Sequence, residues 1–286
     1  MNAKDPLTYE VFSDEEINTF LPPMKIGILG TVTPQGLPHL TLISSLMASS
    51  PTQLAWGQFV EGESKSHILH NSKTGFLLMT LDKRIWQGKA IFTHKARNGK
   101  EYDYYNNTPM FRYNAYFGIH TVYYMDLVEH HGELALPMNE VVFAAIQTRM
   151  AKIIFRSTNQ QSILNQYTTQ LYNGISNLKF ISYIDQDGFP VITPLIQAQA
   201  YGASSLIFST SAFRHELSHI PPKSTVAAFG MALSMEDVLV RGTFRGYRST
   251  ALGVMGFVDV DWVYNPMPPK PQQIYPPVEL KPIIDF

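Results

Sequence analysis

The 286-residue chain contains no cysteine. This absence excludes disulfide bonds, iron–sulfur clusters, thiolate catalysis and cysteine zinc sites, and it fits a reducing cytoplasm. Charged residues make up only 16% of the chain and the net charge is −1. A basic surface for nonspecific nucleic-acid binding is therefore not expected. Apolar residues reach 45%, which is typical of a well-buried globular protein.

Long apolar runs are also missing. The first six residues, Met-Asn-Ala-Lys-Asp-Pro, contain no apolar segment of the kind found in signal peptides. No run approaches the ~20 apolar residues that a membrane-spanning helix needs. We therefore predict a cytoplasmic protein that has no membrane partner.

Histidine spacing gives no metal motif. His67 and His70 are three residues apart, and His130-His131 precede Glu133. Zinc sites need three or four convergent ligands, and no pattern such as H-E-x-x-H is present. We predict no metal site.

Short segments rich in Ile, Leu, Val and Thr alternate with turn residues and predict antiparallel β-structure. Before them, Ser13 with Glu16 predicts a capped helix that ends near Phe20. Two further strands are expected at 74–81 and 85–94. Apolar periodicity from Asn139 to Ser176, through Val142, Ile146, Met150 and Ile153, predicts a helical pair.

Two other segments carry an unusual composition. Residues 96–118 are crowded with tyrosine and phenylalanine and are expected to cover one end of a barrel; alternatively, one ring stacks on a flat cofactor. The tail contains Pro266, Pro268, Pro269, Pro271, Pro276 and Pro277. Because proline cannot donate to a β-ladder, we expect the tail to stay outside any sheet.

The beginning of the chain repeats. Gly188 and Pro190 correspond to Gly36 and Pro38, an offset of 188 − 36 = 152. The same offset relates three further pairs: Thr41 and Thr193, Leu54 and Leu206, Trp56 and Phe208. With a loop three residues shorter, Ser64-Lys65 meets Phe213-Arg214, and Gly88 is matched with Gly242. One offset held across several landmarks indicates a tandem duplication.

The repeat and the antiparallel strands predict a mainly β fold made of two tandem units with helical additions. We expect the first unit in residues 1–132, a helical connector in 133–178 and the second unit in 179–286. The family resemblance described below implies that each unit is a split β-barrel and that the two form an intrachain pseudo-dimer.

A cation follows the first strand–loop segment. Ser64 opens a predicted short helix, and Lys65 lies in its first turn, where acidic residues are usually preferred. A positive charge in that turn is consistent with a bound anion such as a phosphate. A solvated surface lysine is the alternative interpretation.

The ordered motifs resemble the pyridoxamine 5'-phosphate oxidase-like family of FMN-binding split barrels. The resemblance is carried by Thr31-Val32 with Gly36, Pro38 and His39, by Ser64-Lys65, and by the strand glycine Gly88. It covers about residues 13–132. It implies FMN in a groove between barrels, a small-molecule substrate or electron donor, and an oxidoreductase or flavin reductase activity. A further homodimer of the whole chain stays open.

Carried over by position, the resemblance implies a set of cofactor-binding residues. In the first half, Ser64 and Lys65 would meet the phosphate. Thr41, Leu42, Ile43 and Ser44 would line the ribityl chain and ring, and Trp56, Gly57 and Gln58 would face the flavin. The corresponding places in the second half are held by Thr193, Thr210, Ser211 and Arg214. Two non-equivalent sites are therefore allowed.

The sequence also departs from the family pattern. The oxidases have an arginine where Thr41 stands and a lysine near Leu46, and both charges are missing. Arg84 or an arginine of the second half would have to compensate, and pyridoxamine oxidation is not predicted. The alternatives are a heme- or deazaflavin-binding split barrel and a cofactor-free scaffold or sensor.

Overall fold

The computed structural model describes residues 7–57, 62–111, 118–155, 161–267 and 271–279. Gln58 lies outside these ranges. The described helices are α1 (Asp14–Phe20), α2 (Ser64–His70), α3 (Lys100–Asn107), α4 (Met138–Ile154), α5 (Gln166–Asn173) and α6 (Arg214–Ser218). None of them is long and apolar enough to cross a bilayer.

The first sheet has eight antiparallel strands. They run in the order β2-β1-β5-β6-β7-β4-β3, and β8 pairs with β6. Their bounds are β1 (Ile26–Val32), β2 (Pro38–Leu42), β3 (Met47–Ser50), β4 (Gln53–Gly57), β5 (Lys73–Met79), β6 (Arg84–Ala96), β7 (Val122–His130) and β8 (Leu134–Ala135).

The second sheet repeats this arrangement as β10-β9-β13-β14-β15-β12-β11, with β16 pairing with β15. Its bounds are β9 (Leu178–Ile184), β10 (Pro190–Pro194), β11 (Gln199–Tyr201), β12 (Ser205–Ser209), β13 (Thr225–Met231), β14 (Asp237–Thr250), β15 (Gly253–Asn265) and β16 (Gln272–Tyr275). The predicted fold class, mainly β in two successive units, is confirmed.

Strand register reproduces the sequence offset. Leu29 pairs with Thr41, and Ile181 pairs with Thr193, so both partners shift by 152. The same shift relates Met79–Ile85 to Met231–Asp237. By this register Gly242 corresponds to Ala90, so the match of Gly88 with Gly242 was wrong by two residues.

Local signals gave the remaining elements with two corrections. The Ser13–Glu16 capping box is present at the start of α1, as predicted. The tail, however, does join a sheet, because Gln272–Tyr275 pairs with β15 as β16. This segment contains no proline, so its N–H groups remain available between Pro271 and Pro276.

The apolar positions whose spacing predicted helix α4 are not the ones that it buries. Val141, Ala144, Thr148 and Ala151 are buried, whereas Val142, Ile146, Met150 and Ile153 are exposed. Periodicity identified the helix correctly. It could not say which of two apolar faces meets the protein, because both are spaced for a helix.

An apolar core that is shared by the two sheets joins the two units. Buried residues of both sheets form one apolar cluster, here called the seam: Ile28, Leu40, Leu77, Met79, Ile85, Phe180, Ile192, Ala227, Phe229, Met231, Leu239 and Tyr264. The backbones approach closely there, since a Cβ on Gly75 would lie 1.9 Å from the carbonyl oxygen of Pro190. Lys89 of the first unit also pairs with Asp185 of the second at 2.9 Å. The units are thus packed as one body.

Candidate functional site

A cleft of about 610 Å³ opens beside the seam, with walls from both units. Its volume falls in the range of ~300–1,000 Å³ that is usual for small-molecule sites. The first unit contributes His39, Thr41, Leu42, Ile43, Ser44, Trp56, Gly57, Gly62, Glu63, Ser64, Lys65 and Phe111. The second unit contributes Ser234, Met235, Glu236, Asp237, Tyr264, Pro266, Met267 and Pro271.

The polar end of the first-unit wall is formed by β2 and the start of α2. The hydroxyl oxygens of Thr41 and Ser64 lie 2.6 Å apart and share a hydrogen bond. Lys65 follows Ser64 in the first turn of α2 and is half-buried. Glu63, the N-cap residue, makes no side-chain cap bond. Two hydrogen-bonded hydroxyls and the side chain of Lys65 therefore belong to this end of the cleft lining.

The apolar part of the wall is aromatic and fixed. The Trp56 ring stacks on Tyr123 with centroids 4.3 Å apart and planes at 10°. Gly57, next in β4, donates its N–H to the Ser45 hydroxyl at 3.0 Å and accepts from that hydroxyl at 2.7 Å. The aromatic segment contributes Phe111 to the lining, while Tyr105 is fully buried behind it. That segment thus contributes both to the cleft lining and to the first-unit core.

Three buried polar atoms of cleft residues have no hydrogen-bond partner among the described residues. They are His39 Nδ1, Trp56 Nε1 and Asp237 Oδ1. Native proteins satisfy most buried polar atoms, so each such orphan requires an explanation. Of the eight such atoms in the described part of the chain, these three belong to residues that line the cleft.

Beneath the cleft lies a cluster of ionisable groups. The His39 and His67 rings meet edge to face with centroids 4.9 Å apart, and Thr31 bonds His67 Nδ1 at 3.1 Å. Burial, with Arg241 nearby, holds the pKa of His39 well below its usual value and lowers the pKa of His67 to about 4. Both imidazoles are therefore neutral at pH 7.

Arg241 of the second unit supplies a buried cation at this point. Its guanidinium lies 4.2 Å from the Trp262 ring centroid, and its Nε–H donates to the carbonyl of Pro38 at 3.2 Å. Burial raises the pKa of Glu63, while the charge of Arg241 opposes that rise. Arg241 is thus an arginine of the second unit that lies beneath the cleft and is not among its lining residues.

Eight of the predicted site residues line the same cleft. They are Thr41, Leu42, Ile43, Ser44, Trp56, Gly57, Ser64 and Lys65. Arg84 is placed elsewhere: it pairs with Asp82 at 2.7 Å and with Glu133 at 3.3 Å. Gln58 falls outside the described residues.

The second-half candidates do not reach this cleft. Thr193 lines a separate cavity of about 280 Å³ at the seam. Thr210 donates to the Val254 carbonyl at 3.2 Å, and Ser211 donates to Gln147 Oε1 at 2.6 Å. Arg214 is exposed at the start of α6.

Helix α4 fills part of the place in the second unit that corresponds to the cleft. By the offset of 152, Ser209 is the counterpart of Gly57. Its N–H donates to Thr148 Oγ1 at 2.9 Å, and its hydroxyl donates to Gln147 Oε1 at 2.7 Å. The position that corresponds to Gly57 is thus filled by the chain itself, whereas Thr193, the counterpart of Thr41, still lines the smaller cavity of about 280 Å³.

Sequence reasoning did not predict the residues of the second unit that line the cleft. The turn Ser234–Asp237 and Tyr264 line the cleft, yet they belong to no motif. The available signal was the repeat itself, because a pseudo-dimer implies that each groove has a wall from the other unit. It did not identify which second-unit residues form that wall.

Comparisons with known proteins give only distant structural matches. No family model matches the chain, and no curated protein matches it. An FMN-binding protein from Syntrophomonas wolfei subsp. wolfei aligns at 14% identity and TM-score 0.36, covering 43% of this chain and 86% of that one. A putative pyridoxamine 5'-phosphate oxidase from Lactobacillus delbrueckii aligns at 18% and TM-score 0.33, covering 44% and 97%. An F420 reductase aligns at 13% and TM-score 0.32, covering 42% and 98%. At these values the matches do not establish a family or a function.

Proposed function

We propose that this chain is a flavoprotein that binds one FMN in the cleft between its two units and acts as an oxidoreductase or flavin reductase. The proposal treats residues 1–132 and 179–286 as tandem split barrels that form an intrachain pseudo-dimer, with 133–178 as the connector. One observation carries it. The three segments to which the family resemblance assigns cofactor contacts, at Thr41–Ser44, Trp56-Gly57 and Ser64-Lys65, line a single cleft.

The residues present suit the chemistry of FMN. Lys65, Ser64 and Thr41 would hold the phosphate, because a cationic residue and two hydroxyl groups line the same end of the cleft. Trp56, Phe111 and Tyr264 offer aromatic surface for the flat ring. The orphaned Trp56 Nε1 is a donor for a ring or ribityl oxygen. When bound, FMN would supply the redox chemistry, and the chain would supply binding, orientation and exclusion of water.

The counterpart in the second unit is partly filled and keeps a cavity of only about 280 Å³, which supports a single site. Gln147 and Thr148 of α4 take the hydrogen bonds of Ser209 that a second ligand would need. Arg214, the counterpart of Lys65, is exposed on α6. We therefore expect a stoichiometry of one FMN per chain and not two.

Titration of the cofactor-free protein with FMN and riboflavin tests the proposal. Absorbance and flavin fluorescence should give one site per chain. FMN should bind about 10- to 100-fold more tightly than riboflavin, because a charged hydrogen bond contributes roughly 1.5–3 kcal/mol. Two FMN per chain would contradict the single site. Equal affinity for both flavins would contradict the phosphate assignment.

The alternative functions predict different results in the same spectroscopic titration. Preferential uptake of heme, with its Soret band, would favour a heme-binding barrel. Uptake of a deazaflavin without FMN would favour a deazaflavin-dependent reductase. Binding of none of these would leave a scaffold or sensor and would overturn the proposal.

A further inference from the structure

Asp237 is a buried carboxyl group in the second-unit wall of the cleft. It begins β14, its residue is 8% exposed, and it lines the cavity. Its backbone is held on both sides: the N–H donates to Met267 Sδ at 3.4 Å and the carbonyl accepts from the Tyr167 hydroxyl at 3.4 Å. The side chain is not held in this way, since Oδ1 has no partner among the described residues.

The surroundings disfavour a permanent charge on this carboxyl. The titratable groups that face it are Glu236 in its own turn, Tyr264 on β15, Tyr167 on α5, and Glu63 and Lys65 in the opposite wall. No ion pair to Asp237 is found in the described part of the chain. Because an ionised carboxylate loses its hydration on burial, the pKa of Asp237 rises to about 7.

We propose that Asp237 is a ligand-binding residue of the cleft, whose protonated carboxyl donates a hydrogen bond to an acceptor atom of the bound flavin. The assignment rests on the proposed function. It explains why a carboxyl group with a fixed backbone has an oxygen left unpaired beside a cavity. It also means that each unit contributes a polar contact, with Lys65 from the first and Asp237 from the second.

The assignment predicts a pH dependence of flavin affinity. The acid form donates, and that form is lost as pH rises through about 7. Affinity should therefore be about tenfold weaker at high pH than at low pH, the effect of one hydrogen bond. The flavin phosphate has its own second pKa near ~6, so riboflavin, which lacks it, is the cleaner ligand.

The variant Asp237→Asn isolates this group, because an amide donates at every pH. Dissociation constants for riboflavin and FMN are measured from pH 5.5 to pH 9 on wild type, Asp237→Asn and the control Asp261→Asn, a carboxyl group outside the cleft whose pKa is also raised by burial. Asp237→Asn should lose the dependence and keep the affinity that wild type has at low pH, while Asp261→Asn should behave like wild type. Persistence of the dependence in Asp237→Asn, or its loss in Asp261→Asn, would overturn the assignment.

A second measurement needs no variant. The infrared difference spectrum of wild type on binding FMN at pH 6 should show a shifted C=O stretch of a protonated carboxyl group. A spectrum without that band would overturn the assignment even if Asp237→Asn failed to fold. If wild type binds no flavin, the proposed function fails as well; if it binds flavin and these tests fail, only Asp237 is misassigned.

Discussion

Leu77→Ala is expected to lower the free energy of unfolding by about 2–5 kcal/mol, the usual cost of such a truncation in a packed core. Leu77 is fully buried in the seam, where neighbours come from both units and cannot collapse freely into the cavity. Leu81→Ala is the matched control, since Leu81 is 68% exposed just after the same strand. Its effect should stay within about 0.5 kcal/mol.

Urea unfolding followed by tryptophan fluorescence and circular dichroism measures both values. Trp56 and Trp86 report on the first unit and Trp262 on the second. Because the seam is shared, Leu77→Ala should shift the whole unfolding transition to lower urea concentration. The fluorescence and circular dichroism curves should coincide. Two separate unfolding transitions, of which Leu77→Ala shifts only one, would contradict a common core.

The internal repeat could be predicted because equivalent residues of the two units are separated by the same number of positions along the chain. Thr41 and Thr193 hold the same register against Leu29 and Ile181, and a β-pairing tolerates no single-residue slip without exchanging its two faces. Indels are therefore confined to loops, and one offset survives. The match of Gly88 with Gly242 failed because a single glycine does not define the pairing register of its strand.

What lies across the seam could not be predicted from spacing. The offset relates the two units to each other, but it does not say which surfaces they present to one another. The wall formed by Ser234–Asp237 and the partial filling of the second cleft by α4 both depend on that packing. The first-unit wall was accessible to sequence reasoning, because its residues lie in consecutive motifs on neighbouring strands and one helix.

The strongest test of the site compares two positions that the repeat makes equivalent. Lys65→Glu should weaken FMN binding by 100-fold or more, because it removes a cation from the phosphate end and places an anion there; a charged hydrogen bond alone contributes about 1.5–3 kcal/mol. Arg214→Glu makes the same charge reversal at the second-unit counterpart. Its effect on FMN affinity should be less than about twofold, because Arg214 is exposed on α6 and does not line the cleft.

Calorimetric titration of both variants with FMN and with riboflavin separates the possible causes. Lys65→Glu should bind riboflavin nearly as well as wild type does, since the lost contact is to the phosphate alone. If Lys65→Glu weakened both flavins equally, its effect would lie in the structure of the cleft and not in phosphate binding. If Arg214→Glu weakened FMN as strongly as Lys65→Glu, the second unit would hold a working phosphate site, and α4 would have to move aside for it.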